Sequence, residues 1–243
     1  MQMRLVRRGG LIGVAAAAAL LVGAMPASAA PGDGSAYVAD VGVTLLGQPA
    51  VKVGPLSPSH TDGPTDAQLA SIDVPGVVSA GLVTSSAKRD DATGIVHSSA
   101  NLTDVKVALA ALGSVKAIDV DCEATQAGTT GKTSLVGVKL AGVKVDANPA
   151  PNTVISLPLV TIVFNEQIKN NDGSLTVNGV HVKLNALLGK GDVVLGSATC
   201  GPAAPPVPLA SGAGLWIGLG LVGLVAVPVG VTVLRRRQAS AAV

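Results

Sequence analysis

The chain has 243 residues, nearly half of them hydrophobic, yet it holds a single Trp, a single Tyr and a single Phe. Burial therefore has to come from Val, Leu, Ile and Ala. The formal charge of +2 hides an acidic body. Arg4, Arg7, Arg8, Arg235, Arg236 and Arg237 sit at the two ends, and the remaining 11 basic against 15 acidic residues leave the middle near −4. With no lysine or arginine cluster between those ends, that middle is excluded as a nucleic-acid binder, because neutralising phosphates needs a basic patch.

In chain order, residues 1–29 have the layout of a secretory signal peptide. Arg4, Arg7 and Arg8 form a basic start, residues 11–25 are an apolar run, and Ala27-Ser28-Ala29 supplies the small residues that signal peptidase reads. Cleavage is expected after Ala29, with Ala30 as the alternative. Gly9-Gly10 follows Arg7-Arg8 where a twin-arginine motif would continue differently, so general secretory export is expected.

Residues 30–200 then form one extracellular all-β domain, long enough to bury a core of its own. Valine abounds, and a residue branched at Cβ is stiff in a helix but packs well on a pleated sheet. Period-2 alternation recurs over residues 37–46, 77–84, 102–109, 115–125, 133–140, 153–168, 175–188 and 192–200, separated by Gly, Pro, Asn or Asp. That spacing predicts an antiparallel β-sandwich or a barrel-like domain. Residues 54–65 read as an exposed loop, and 66–72 as loop or one turn. Asn171-Asp172-Gly173 predicts a tight hairpin, and Gly189-Lys190-Gly191-Asp192 a second turn, giving a meander that ends at Cys200.

Cys122 and Cys200 are the only cysteines. In an exported chain they are expected to form a disulfide, whose long loop gives on the order of 4 kcal/mol in the chain-entropy account. Within 119–123, Asp119, Asp121 and Glu123 share one strand face, while Ile118, Val120, Cys122 and Ala124 share the other and face the core. Three carboxylates on one face are a candidate calcium site; the alternative is a solvated face that discourages edge pairing. No cofactor is expected. His60, His97 and His181 lie in no catalytic motif, and neither a G-x-S-x-G elbow, an H-E-x-x-H pair nor a phosphate loop occurs. His181 shares its face with Lys183 and Asn185, which predicts solvent exposure.

Residues 201–214 turn to Pro and Ala and read as a short extended spacer. Residues 215–234 carry no charge and are long enough to cross a hydrocarbon core as a transmembrane helix. Trp216 suits the outer interface and Arg235, Arg236 and Arg237 the inner one, so residues 235–243 become a cytoplasmic basic tail. Pro228 is compatible with a kinked span. Leu209-Ala210-Ser211-Gly212 is close to a sortase motif but lacks the threonine that sortase attacks, so retention of the helix is preferred.

Four stretches carry a family likeness: Pro151-Asn152-Thr153, Phe164-Asn165-Glu166-Gln167, the run from Leu175 through Asn178, Gly179 and His181 to Val182, and the terminal run from Asp192 to Ala198. Together they resemble the actinobacterial choice-of-anchor P surface proteins, densely over 119–201 and loosely before that. Phe164 stands where leucine is usual there, and Gly179 where alanine is usual. The resemblance implies export and an anchor that varies between members; it implies no activity and no catalytic residues. Asn165, Glu166, Gln167, Asn178 and His181 are the residues from which a ligand patch would be built, unless they satisfy backbone groups at strand ends. The expectation is a non-catalytic, membrane-anchored surface protein with a structural or adhesive envelope role. A binding module for a cell-wall or surface-protein partner is the alternative, and an exported hydrolase a third.

Overall fold

The structure, a computed structural model, describes residues 31–140 and 143–205. The expected signal peptide with its cleavage at Ala29, and the apolar segment with Trp216, Arg235, Arg236 and Arg237, lie outside the described residues. Among the described residues no helix is long and apolar enough to cross a membrane.

The strands are β1 (Gly34–Leu45), β2 (Val51–Leu56), β3 (Ser59–His60), β4 (Asp66–Leu69), β5 (Ile72–Val74), β6 (Val78–Ala80), β7 (Val83–Arg89) and β8 (Val96–Val107), followed after one 3₁₀ turn by β9 (Gly113–Thr125), β10 (Gly128–Val136), β11 (Lys139–Leu140), β12 (Thr153–Ser156), β13 (Val160–Lys169), β14 (Leu175–Leu184) and β15 (Gly189–Cys200). They form two antiparallel sheets. The first runs β12-β13-β14-β15-β1-β2, with β3 also on β1. The second runs from β10 and β11 through β9 to β8, whose far side is shared by β7 with β4 and by β6 with β5. The inner faces meet in a sandwich-like core of aliphatic side chains around the fully buried Phe164.

Most predicted strands stand, with local differences that have clear causes. The expected strand 153–168 is two, β12 and β13, folded back on each other at Pro158, which has no N–H to continue a ladder. The segment expected as loop or turn at 66–72 contains β4 and the start of β5, and the expected loop 54–65 contains the end of β2 and all of β3. The hairpin at 171–173 is present: Gly173 takes φ 84° and Asn170 N–H donates to Ser174 O at 2.9 Å.

Ile118, Val120, Cys122 and Ala124 are all fully buried, as their alternation in β9 predicts. Cys122 on the second sheet is disulfide-bonded to Cys200 at the end of the first, with Cα atoms 5.7 Å apart, inside the range such a bridge spans.

A crease crosses the middle of the first sheet. Between the pairs Phe164↔Val180 and Glu166↔Asn178, Val180↔Leu195 and Asn178↔Ser197, and Ala39↔Leu195 and Tyr37↔Ser197, one residue of each strand is unmatched. These residues are Asn165, Gly179, Gly196 and Val38. Alternation slips there, so that Val177 and Val180 both reach the core although they are three apart, as do Leu195 and Ala198. The second sheet presses into the crease: a Cβ on Gly179 would lie 2.6 Å from Val120 Cγ2, and one on Gly196 2.8 Å from the same atom. Only glycine lets the sheets close there.

Candidate functional site: a polar cluster on the outer face of the first sheet

The slip in alternation turns Glu166, Asn178, Ser197 and Tyr37, neighbours across β13, β14, β15 and β1, toward the outer face together. Three residues beyond Asn178 on β14, His181 points the same way, followed by Lys183 opposite Asp192. Glu166 Oε2 accepts from Asn178 Nδ2 at 2.8 Å and lies 2.6 Å from His181 Nδ1, while Oε1 accepts from Lys183 Nζ at 2.9 Å. The other ring nitrogen, Nε2, lies 2.7 Å from Asp192 Oδ2, and Ser197 Oγ donates to Asn178 Oδ1 at 2.8 Å. Buried polar groups must be paired, and these are.

His181 is thus buried, contrary to the exposure its company with Lys183 predicts. The carboxylates of Glu166 and Asp192 close on both edges of the ring, leaving it 9% exposed. Asn185 has left the face altogether: its side chain donates to Leu157 O and Pro158 O in the turn.

The electrostatics follow from these contacts. Burial by itself would raise Glu166, but the donors Asn178, Lys183 and His181 outweigh it and hold the carboxyl at about 2. Burial raises the Tyr37 phenol; a hydrogen bond with Ser197 works against the rise, and the negative charges of Asp40, Asp192 and Glu166 add to it. Both ring nitrogens of His181 are held by carboxylates, Nδ1 by Glu166 and Nε2 by Asp192. Two carboxylates thus face one imidazole ring and one ammonium. Neither ring nitrogen of His181 is free of a carboxylate partner, and Ser197 turns its hydroxyl to Asn178 and not to a base.

The five residues read as a patch therefore divide. Glu166, Asn178 and His181 come together. Asn165, at φ 49° in the crease, donates instead to Pro149 O at 2.9 Å, and Gln167 Nε2 donates to Gly131 O on β10 at 2.7 Å. Asn152 Oδ1 accepts from the Gln167 N–H at 2.8 Å. These two side chains tie the 149–152 segment and the second sheet to β13. Sequence reasoning missed Tyr37, Asp192 and Ser197 as members of the cluster. Asp192 and Ser197 stand within the run from Asp192 to Ala198, but the slip at Gly196 hides that both share the face of His181.

The acidic run on β9 does not converge. Asp119, Asp121 and Glu123 point outward at alternate positions, roughly 7 Å apart along a strand. Asp121 faces His97 Nε2 at 3.7 Å and Lys132 Nζ at 3.8 Å, and Glu123 faces His97 Nδ1 at 3.9 Å. Burial raises Asp119, and the neighbouring Asp121 charge raises it further. Among the described residues no group of three or more His, Cys, Asp or Glu is disposed to hold a metal ion, so the calcium reading loses its geometric basis. Edge protection is not the role of this run either, because β9 lies between β8 and β10.

Fold and cluster together define an all-β, disulfide-clamped domain whose polar centre is closed on itself. No protein-family model matches the chain, and neither a curated protein nor a solved structure matches it.

Proposed function

We propose that this chain is a non-catalytic cell-surface protein, exported through its N-terminal signal peptide and held by one C-terminal membrane helix, with the β domain outside and the C-terminus in the cytoplasm. Its role is structural or adhesive within the envelope. The observation that carries this reading is the Cys122–Cys200 bridge between the two sheets, since structural disulfides belong to oxidising compartments outside the cytosol. The order of basic start, apolar run and small residues at one end, and of apolar stretch and three arginines at the other, supports the same topology. Engagement of both nitrogens of His181 supports a non-catalytic role. The likeness to choice-of-anchor P proteins agrees with export and anchoring and supplies no activity.

Protease added to intact cells, with any outer envelope layer made permeable, tests the topology. The β domain is expected to be cut while a cytoplasmic marker survives; a domain cut only after lysis overturns the reading. Mass spectrometry of cell-wall digests separates the two anchors, because a chain ending near Ser211 and linked to peptidoglycan replaces the helix by a sortase attachment.

A further inference from the structure

The two ends of the first sheet differ in chemistry. At one end the chain enters at Gly34 and leaves at Cys200, and the segments flanking these two residues run side by side: Gly32 N–H donates to Pro202 O and Gly201 N–H to Asp33 O, both at 2.7 Å. A recess of about 610 Å³ opens there, lined by Asp33, Asp62, Asp172 and His60 among hydroxyl groups. The opposite end, about 36 Å away along β1, is apolar and basic. Three connections meet there and are fastened to one another through the backbone: Leu46 N–H donates to Leu188 O at 3.2 Å, and Asn185 N–H to Leu159 O at 2.9 Å. Leu46, Leu187 and Leu159 stand out from this plate, 70%, 74% and 37% exposed. Lys52 and Lys190 flank β1 opposite Gly42 and Thr44. Residues 43–52, 157–161 and 183–191 contain no carboxylate.

We infer that this leucine tip, with its lysine rim, docks on an anionic lipid layer other than the one that holds the C-terminal helix, which makes the protein a bridge between two lipid surfaces. The inference deepens the adhesive reading above and rests on it. Exposed leucines on a preorganised end gain by entering acyl chains, and lysines at the rim reach acidic headgroups while their stems stay on apolar surface. A second copy fits less well. Tip against tip sets lysines against lysines, and tip against the far end sets leucines against a recess lined by carboxylates and hydroxyls, where they stay wet. The chain's own apolar stretch does not fill the role. Nine residues, 206–214, reach roughly 30 Å at most even if fully drawn out at about 3.4 Å each, and the chain leaves from the far end.

The test uses the full chain reconstituted into neutral phosphatidylcholine vesicles. These are mixed with dye-filled vesicles of phosphatidylcholine and phosphatidylglycerol, and tethered dye is measured after flotation. Wild type is expected to tether the anionic vesicles and to leave purely neutral ones free. Leu46→Asp with Leu187→Asp, both at exposed positions, should cut tethering about tenfold or more with the melting temperature unchanged. Lys52→Glu with Lys190→Glu should cut it and remove its salt dependence. Equal tethering by the leucine variant, or tethering only when both vesicle populations carry the chain, overturns the proposal, the latter in favour of a self-association. If the chain fails to float with the neutral vesicles, the anchor reading fails. Its direct co-sedimentation with anionic vesicles then decides the tip: binding lost in the leucine variant upholds lipid recognition, and absence of wild-type binding rejects it.

Discussion

Replacing Glu166 by Gln keeps the shape of the side chain and removes the one charge on which Asn178, His181 and Lys183 converge. The wild-type carboxyl titrates at about 2 against an ordinary 4.5. At about 1.36 kcal/mol for each tenfold change in proton affinity, the ionised form contributes about 3 kcal/mol to folding. The side chain is 11% exposed, so solvent screening takes little of this away. Because the folded value is the depressed one, the contribution is complete above about pH 4.5 and disappears as pH falls toward and below 2. Urea unfolding of wild type and Glu166→Gln should therefore differ by about 3 kcal/mol near neutrality. The two should converge in acid, where a protonated Glu166 presents the same donor conflict as the amide. Taking the difference between the two proteins at each pH cancels the other carboxylates. A gap that stays constant from about pH 7 to about pH 2, or one below about 1 kcal/mol at pH 7, would refute the role assigned to Glu166.

Reducing the Cys122–Cys200 bridge, which joins residues 78 apart, should cost about 4 kcal/mol and lower the melting temperature by about 10 °C; coincident melts of oxidised and reduced protein would contradict the clamp. Gly179→Ala introduces a Cβ that would sit 2.6 Å from Val120 Cγ2 and 2.9 Å from Ile118 Cγ2. It should destabilise the domain by about 1–3 kcal/mol. A calorimetric melt unchanged by the substitution would mean that the crease relaxes freely.

Much of the fold was legible because the core is made of one kind of signal. Buried residues at alternate positions mark β9, and the burial of Ile118, Val120, Cys122 and Ala124 follows directly from their spacing. The short strands β4 and β5 were not legible, since four and three residues among prolines and glycines carry too little periodicity to stand out from loop. The candidate cluster was half legible. Glu166, Asn178 and His181 were singled out by likeness, but their convergence depends on a slip at Asn165, Gly179 and Gly196 that moves His181 onto the same face as Asn178. Strict period-2 counting puts those two residues on opposite faces. The same likeness set Asn165 and Gln167 beside them, whereas both are spent on carbonyl groups of Pro149 and Gly131.

The position of Cys200 has a mechanical consequence. It is the last residue of β15 and the point from which the chain departs toward its C-terminal segment. Tension arriving from that segment meets, once past the backbone bonds of Gly201 and Pro202, a covalent link to β9 at the first residue of β15 it reaches. A tug along the strand axis is thereby divided between both sheets, and β15 is loaded in shear against β14 and β1 together, instead of being peeled away one hydrogen bond at a time.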